Sequence, residues 1–216
     1  MTRIQFFRSL AAAAMAAGFI AAFSPTVSAQ GVVSEWKTVE FPPPPELKQV
    51  KVDVPKTALL VMDFTQAACS PDGDRVNPRC VAALPKIKSL LAVARAHHML
   101  VIFTSGPNKL PNTKEAPPLP DEPMLSGFPN KFDDTDLDKI LKDHGITTVI
   151  CMGTAPNGAV LFTAYGAAAH GYNVIVPVDT MPGSSPFAEA SSIWGIGHDP
   201  TIATKSTLTS VDMITF

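Results

Sequence analysis

The chain has 216 residues, 46% of them hydrophobic and 17% charged, a formal net charge of −2 and three cysteines. That hydrophobic share supports a sizeable core without a metal or a dense disulfide framework. No cluster of Lys or Arg is present, which excludes a nucleic-acid surface or a polybasic membrane patch.

Residues 1–29 open with Arg3 and Arg8, continue through an Ala-rich apolar stretch and end on Val27, Ser28 and Ala29. This is the pattern of a cleavable signal peptide, and it predicts a secreted or periplasmic protein. The apolar stretch is broken by Gly18 and Ser24, whereas a membrane span needs about 20 apolar residues. Residues 30–54 form a Pro-rich arm, stiffened and extended by Pro42 to Pro45, with the domain surface or a partner subunit as its resting place. Residues 55–216 read as one domain.

Within it, the apolar run 57–64 predicts a buried parallel strand with Asp63 at its C-terminal edge. A helix follows over 81–97, with Leu84, Ile87, Leu90, Leu91 and Ala94 at helical spacing, then a strand over 100–104. The segment 105–131 holds seven prolines and no periodic apolar pattern, the composition of a lid or an unstructured insertion. Asp134 and Thr135 are capping residues for a helix that stops near Gly145. A strand over 147–152, a helix from about Gly158 to His170, a strand over 173–178, a short helix over 185–194 and a strand over 202–208 complete the chain. Strands alternating with helices predict a three-layer α/β/α fold, Rossmann-like, around a mainly parallel sheet. Ligands of such sheets bind beyond the C-terminal strand ends, where both Asp63 and the turn 153–159 fall. No glycine-rich dinucleotide fingerprint is present, so no cofactor is expected.

Cys69 and Cys80 bracket a polar loop. They are a disulfide candidate in an oxidising compartment, with two unpaired thiols as the alternative. Cys151 lies inside a predicted central strand and reads as an inert buried residue. No histidine stands between Asp63 and His97, and His97, His98, His144 and His170 sit at helix ends, where the dipole favours a cation. No metal site is expected.

Three segments together carry a family resemblance: 57–63 ending in Asp63, 128–132 around Lys131, and the strand-to-helix turn Gly153, Thr154, Ala155, Pro156, Asn157, Gly158, Ala159. The chain resembles the isochorismatase-like hydrolase superfamily over about residues 55–214. The resemblance implies a six-stranded sheet, a homo-oligomer and a small-molecule substrate. It also implies a catalytic Asp, Lys and Cys, which match Asp63, Lys131 and Ala159. By the same match the amides of Ala155 and Ala159 are the oxyanion donors. A cis peptide in the turn falls at Thr154–Ala155, with Ala155–Pro156 as a possible substitute because of the proline. A methyl group at 159 attacks nothing, so the covalent thiol route is closed. The remaining Asp63 and Lys131 suit acid–base catalysis with water. Lys131, in need of a counter-charge, points to an anionic substrate. A binding protein without turnover, and an assembly role for the arm and the Pro-rich segment, are the alternatives.

Overall fold

The computed structural model describes residues 31–216, so the segment read as a signal peptide lies outside the described residues. Residues 31–41 belong to a unit of their own, with a short helix α1 (Gly31–Glu35). The second unit begins at Pro42 and takes in the rest of the arm. Leu47 packs against the core, and the amide of Lys48 donates to the carbonyl of Leu208 at 2.9 Å. Strand β1 (Val50–Lys51) then pairs with the last strand of the chain. Residues 42–54, read from sequence as an arm ahead of the domain, are therefore part of it.

The elements follow in the order β2 (Thr57–Met62), α2 (Gln66–Cys69), α3 (Pro78–Ala96), β3 (Leu100–Ser105), β4 (Met124–Ser126), α4 (Leu137–Asp143), β5 (Thr148–Gly153), α5 (Leu161–Ala169), β6 (Asn173–Pro177), α6 (Pro186–His198), β7 (Ser206–Thr209) and β8 (Ile214–Thr215). Six of the strands form one sheet in the order β4-β3-β2-β5-β6-β7, and every neighbouring pair is parallel. The sheet is the six-stranded α/β arrangement the sequence predicts. Strand β4 is the one strand of this sheet that the residue pattern does not predict. It stands among the prolines of 105–131 and forms the sheet edge beside β3.

All six residues of β2 are buried, because a central parallel strand is covered on both faces. Side chains alternate between those faces. Leu59 and Val61 meet Ile87, Leu90 and Leu91 of α3. Leu60 and Met62 face the opposite cluster, with Leu137 and Leu141 of α4, Ala164 and Ala167 of α5, and Ile196 of α6.

Local chemistry sets the helix ends. Asn77 caps α3 by accepting the Arg79 amide at 3.0 Å, with Pro78 as the first helical residue. Pro is favoured there because its missing N–H is unsatisfied in any helix. Ser185 caps α6 in the same way through the Ala188 amide. A disulfide joins Cys69 to Cys80 across the loop between α2 and α3.

Candidate active site

Asp63 is the first residue beyond β2 and has a left-handed backbone, φ 57°, a region few non-glycine residues occupy without support. Support comes from two neighbouring strand ends. The Asp63 amide donates to the Thr104 carbonyl at 3.2 Å, and the Asp63 carbonyl accepts the Thr154 hydroxyl at 2.7 Å. The carboxylate is held as well: Oδ1 accepts the Thr104 hydroxyl at 2.8 Å, and Oδ2 lies 2.9 Å from Lys131 Nζ.

Lys131 is 1% exposed. Its ammonium donates to Asp63 Oδ2 at 2.9 Å and to the carbonyls of Ser105 and Gly127 at 3.3 Å each. A lysine has three protons to donate, so all three are used. An unpaired buried ammonium would be far too costly, and Asp63 supplies the counter-charge. The reason given above for an anionic substrate was a lysine lacking a partner. The lysine has one inside the chain, and that reason falls away.

The loop carrying Lys131 is fixed from α5. The Thr163 hydroxyl accepts the Lys131 amide at 3.1 Å and donates to the Pro129 carbonyl at 3.0 Å. Three residues on, Gly166 brings α5 flush against the loop. A Cβ there would stand 2.3 Å from Asn130 Oδ1 and 2.9 Å from a ring carbon of Phe132, so any larger residue would have to push both side chains aside.

The turn after β5 has its cis bond at Thr154–Ala155; the alternative at Ala155–Pro156 is not taken. Pro156–Val160 forms one wide helical turn, kinked at Gly158 (φ −127°, ψ −108°), and regular helix begins only at Leu161. The helix read from about Gly158 therefore starts three residues later. The carbonyl of Ala155 closes the turn by accepting the amides of Gly158 and Val160 at 3.1 and 3.3 Å. Ala155 and Asn157 are exposed, Pro156 is buried, and Ala159, 4% exposed, packs its methyl into the core with Val160 and Ala164.

No cysteine replaces the missing nucleophile. Cys69 and Cys80 are bonded to each other. Cys151 is fully buried in β5, and burial pushes its thiol up to about 12, so it stays protonated at any working pH.

Asp63 is the open member of the pair, its side chain 19% exposed. A recess of about 550 Å³ is lined by Ser105, Leu110, Pro111, Met124, Leu125 and Asp134 among others; neither Asp63 nor Lys131 lines it. The structure thus brings Asp63, Lys131 and Thr154 together. It also adds Thr104, Ser105, Gly127 and Thr163, which sequence reasoning missed. Thr104 was the findable one, since it ends an apolar strand just as Asp63 does.

A family model, the Isochorismatase domain, matches residues 57–204. Maleamate amidohydrolase of Pseudomonas putida is 28% identical over 150 residues, covering 56% of this chain and 70% of that protein. Among solved structures, a cysteine hydrolase from Pseudomonas syringae pv. phaseolicola superposes with a TM-score of 0.67 at 20% identity, over 78% of this chain and 94% of that one. An isochorismatase-like hydrolase from Alkaliphilus metalliredigens gives 0.66 at 21%, over 73% and 95%. At those identities the likeness is one of fold.

Proposed function

Because this chain belongs to the isochorismatase family, we propose that it hydrolyses a small organic molecule with Asp63 as the acid–base group and water as the nucleophile. The observation that carries this reading is the Asp63–Lys131 pair. A fully buried lysine donates one proton to the Asp63 carboxylate and the other two to the carbonyls of Ser105 and Gly127, and that carboxylate stands at the open C-terminal edge of a parallel sheet. A core alone does not call for such a pair, since a buried ion pair is rarely a net source of stability.

The relative from Pseudomonas putida is named for an amide, which makes an amide the first substrate class to test. In that reaction Asp63 takes a proton from water as the water oxygen bonds to the carbonyl carbon. The proton passes to the nitrogen as the C–N bond breaks. One water is consumed, and a carboxylic acid and an amine are released. Lys131 keeps the carboxylate oriented through both transfers. General acid–base help of this kind contributes about 10²–10⁴-fold.

The test is turnover of a panel of small amides, esters and enol ethers by the purified protein, with Asp63→Asn alongside. Turnover that is lost in the variant is the expected result. A variant as active as the wild type removes Asp63 from the chemistry and overturns the reading. The second reading, a binding protein without turnover, is favoured by the methyl at Ala159. It predicts a retained small molecule, seen by mass spectrometry, and no product from any member of the panel.

Export is part of the same proposal. The signal-like pattern of residues 1–29 and a disulfide between Cys69 and Cys80 both suit an oxidising compartment. The mass of the protein recovered outside the cytoplasm, beginning at Gln30, is the check.

A further inference from the structure

Thr104 grips Asp63 at two points. Its carbonyl accepts the Asp63 amide at 3.2 Å, and its hydroxyl donates to Asp63 Oδ1 at 2.8 Å. The first contact holds the left-handed backbone of Asp63; the second sets the plane of its carboxylate. With Lys131 on Oδ2, each carboxylate oxygen has one donor from the protein and lone-pair capacity left over, on a side chain that is 19% exposed. Rotation about the Cβ–Cγ bond would break one of the two bonds. Thr104 is itself fully buried, in register with Met62 on the neighbouring strand, so its hydroxyl has a rigid mount. The next residue, Ser105, gives its carbonyl to Lys131. The end of one strand therefore holds both members of the pair.

We propose that Thr104 is the positioning residue of the site, aiming the free lone pairs of Asp63 at the reacting water without touching substrate. The proposal rests on the reading of Asp63 as the acid–base group. Lys131 alone fixes one oxygen and leaves the carboxylate free to swing about that contact. Thr104 removes the swing. Rate depends steeply on such aim, since a misplacement of about 1 Å can cost about 100-fold.

The experiment compares Thr104→Val, which keeps the shape and removes the hydroxyl, with Thr104→Ser, which keeps the hydroxyl, and with Asp63→Asn. With a substrate turned over by the wild type, Thr104→Val is expected to lower kcat about 10- to 100-fold with KM within about twofold. Thr104→Ser is expected to recover most of that loss. A Thr104→Val enzyme with the wild-type kcat, or a Thr104→Ser enzyme as impaired as the valine variant, overturns the proposal. Full activity in Asp63→Asn overturns the acid–base reading itself, a different result from either. A crystal structure of Thr104→Val decides the matter even without turnover. A rotated or split Asp63 carboxylate is expected, and one that superposes on the wild type refutes the positioning role.

Discussion

The hydroxyl of Thr163 accepts the backbone amide of Lys131 at 3.1 Å, so the helix that follows the Ala159 turn also carries the lysine loop. Thr163 stands four residues after Ala159, in the first turn of the regular helix that begins at Leu161. The turn and the lysine loop are thus tied through α5, although Ala159 and Lys131 lie 28 positions apart along the chain.

Thr163→Val should uncouple them. Thr163 is fully buried, and the substitution leaves both the Lys131 amide and the Pro129 carbonyl without their partner. The expected cost is about 1–3 kcal/mol, together with a fall in turnover. Equilibrium urea unfolding checks the first, provided the slope stays that of the wild type.

Ala159→Cys should restore a nucleophile. The native wild-type protein is expected to take up no thiol label, because Cys151 is buried with its thiol pushed up to about 12 and the other two cysteines form a disulfide. Because position 159 is 4% exposed, the variant should take up its one label there more slowly than an exposed thiol would, and form an acyl adduct with an activated ester, both visible by mass. A variant that remains unlabelled would mean that position 159 does not open onto the site.

The chain has two tyrosines, and both should titrate late. Burial, then a hydrogen bond to Asp199, pushes Tyr165 up to about 12. Burial, then a hydrogen bond to Asp138 at 2.9 Å, does the same for Tyr172. Phenolate absorbance of the folded protein should therefore rise near pH 12, and that of the urea-unfolded protein near pH 10. With folded values above unfolded ones, this contribution to stability is complete below pH 10 and is lost between 10 and 12. A tyrosine ionising near pH 10 in the folded protein contradicts the burial described for it.

Removing the disulfide should loosen the Pro-rich segment. Ser70, inside the closed loop, meets the Thr113 hydroxyl at 2.6 Å, and Thr113 donates to the Cys69 carbonyl at 3.0 Å. Gln66 accepts the Lys114 amide at 2.9 Å. Replacing Cys69 and Cys80 by Ala should cost about 2–4 kcal/mol and open a tryptic cut after Lys109 or Lys114. An unchanged urea midpoint and an unchanged digest would show that the loop holds itself.

Long apolar strands were plain in the sequence because a run such as 57–62 has few other places to go than a covered sheet. Asp63 stood out for the matching reason, as an acid where burial is costly. Strand β4 was hidden, since three residues among prolines carry no period, and only the neighbouring β3 makes them a strand. Asp63 as a partner of Lys131 was legible only through the family resemblance, since 68 residues separate the two. The Ser105 and Gly127 partners were hidden, because they are backbone carbonyls, to which every residue type contributes alike. The onset of α5 was misjudged because a kink at Gly158 leaves the apolar pattern of the helix intact.

The contact of Lys48 with Leu208 has one more consequence, for self-association. Strand β7 is the last of its sheet, and an uncovered terminal strand is a template on which another chain can add. The Leu47–Lys48 stretch lies against that strand and takes up the Leu208 carbonyl. A truncated protein beginning at residue 55, where the sequence pattern alone would cut, would lose this cover and be the version most prone to polymerise through its sheet. The few residues ahead of the apparent domain thus occupy part of the edge that a second copy would otherwise meet.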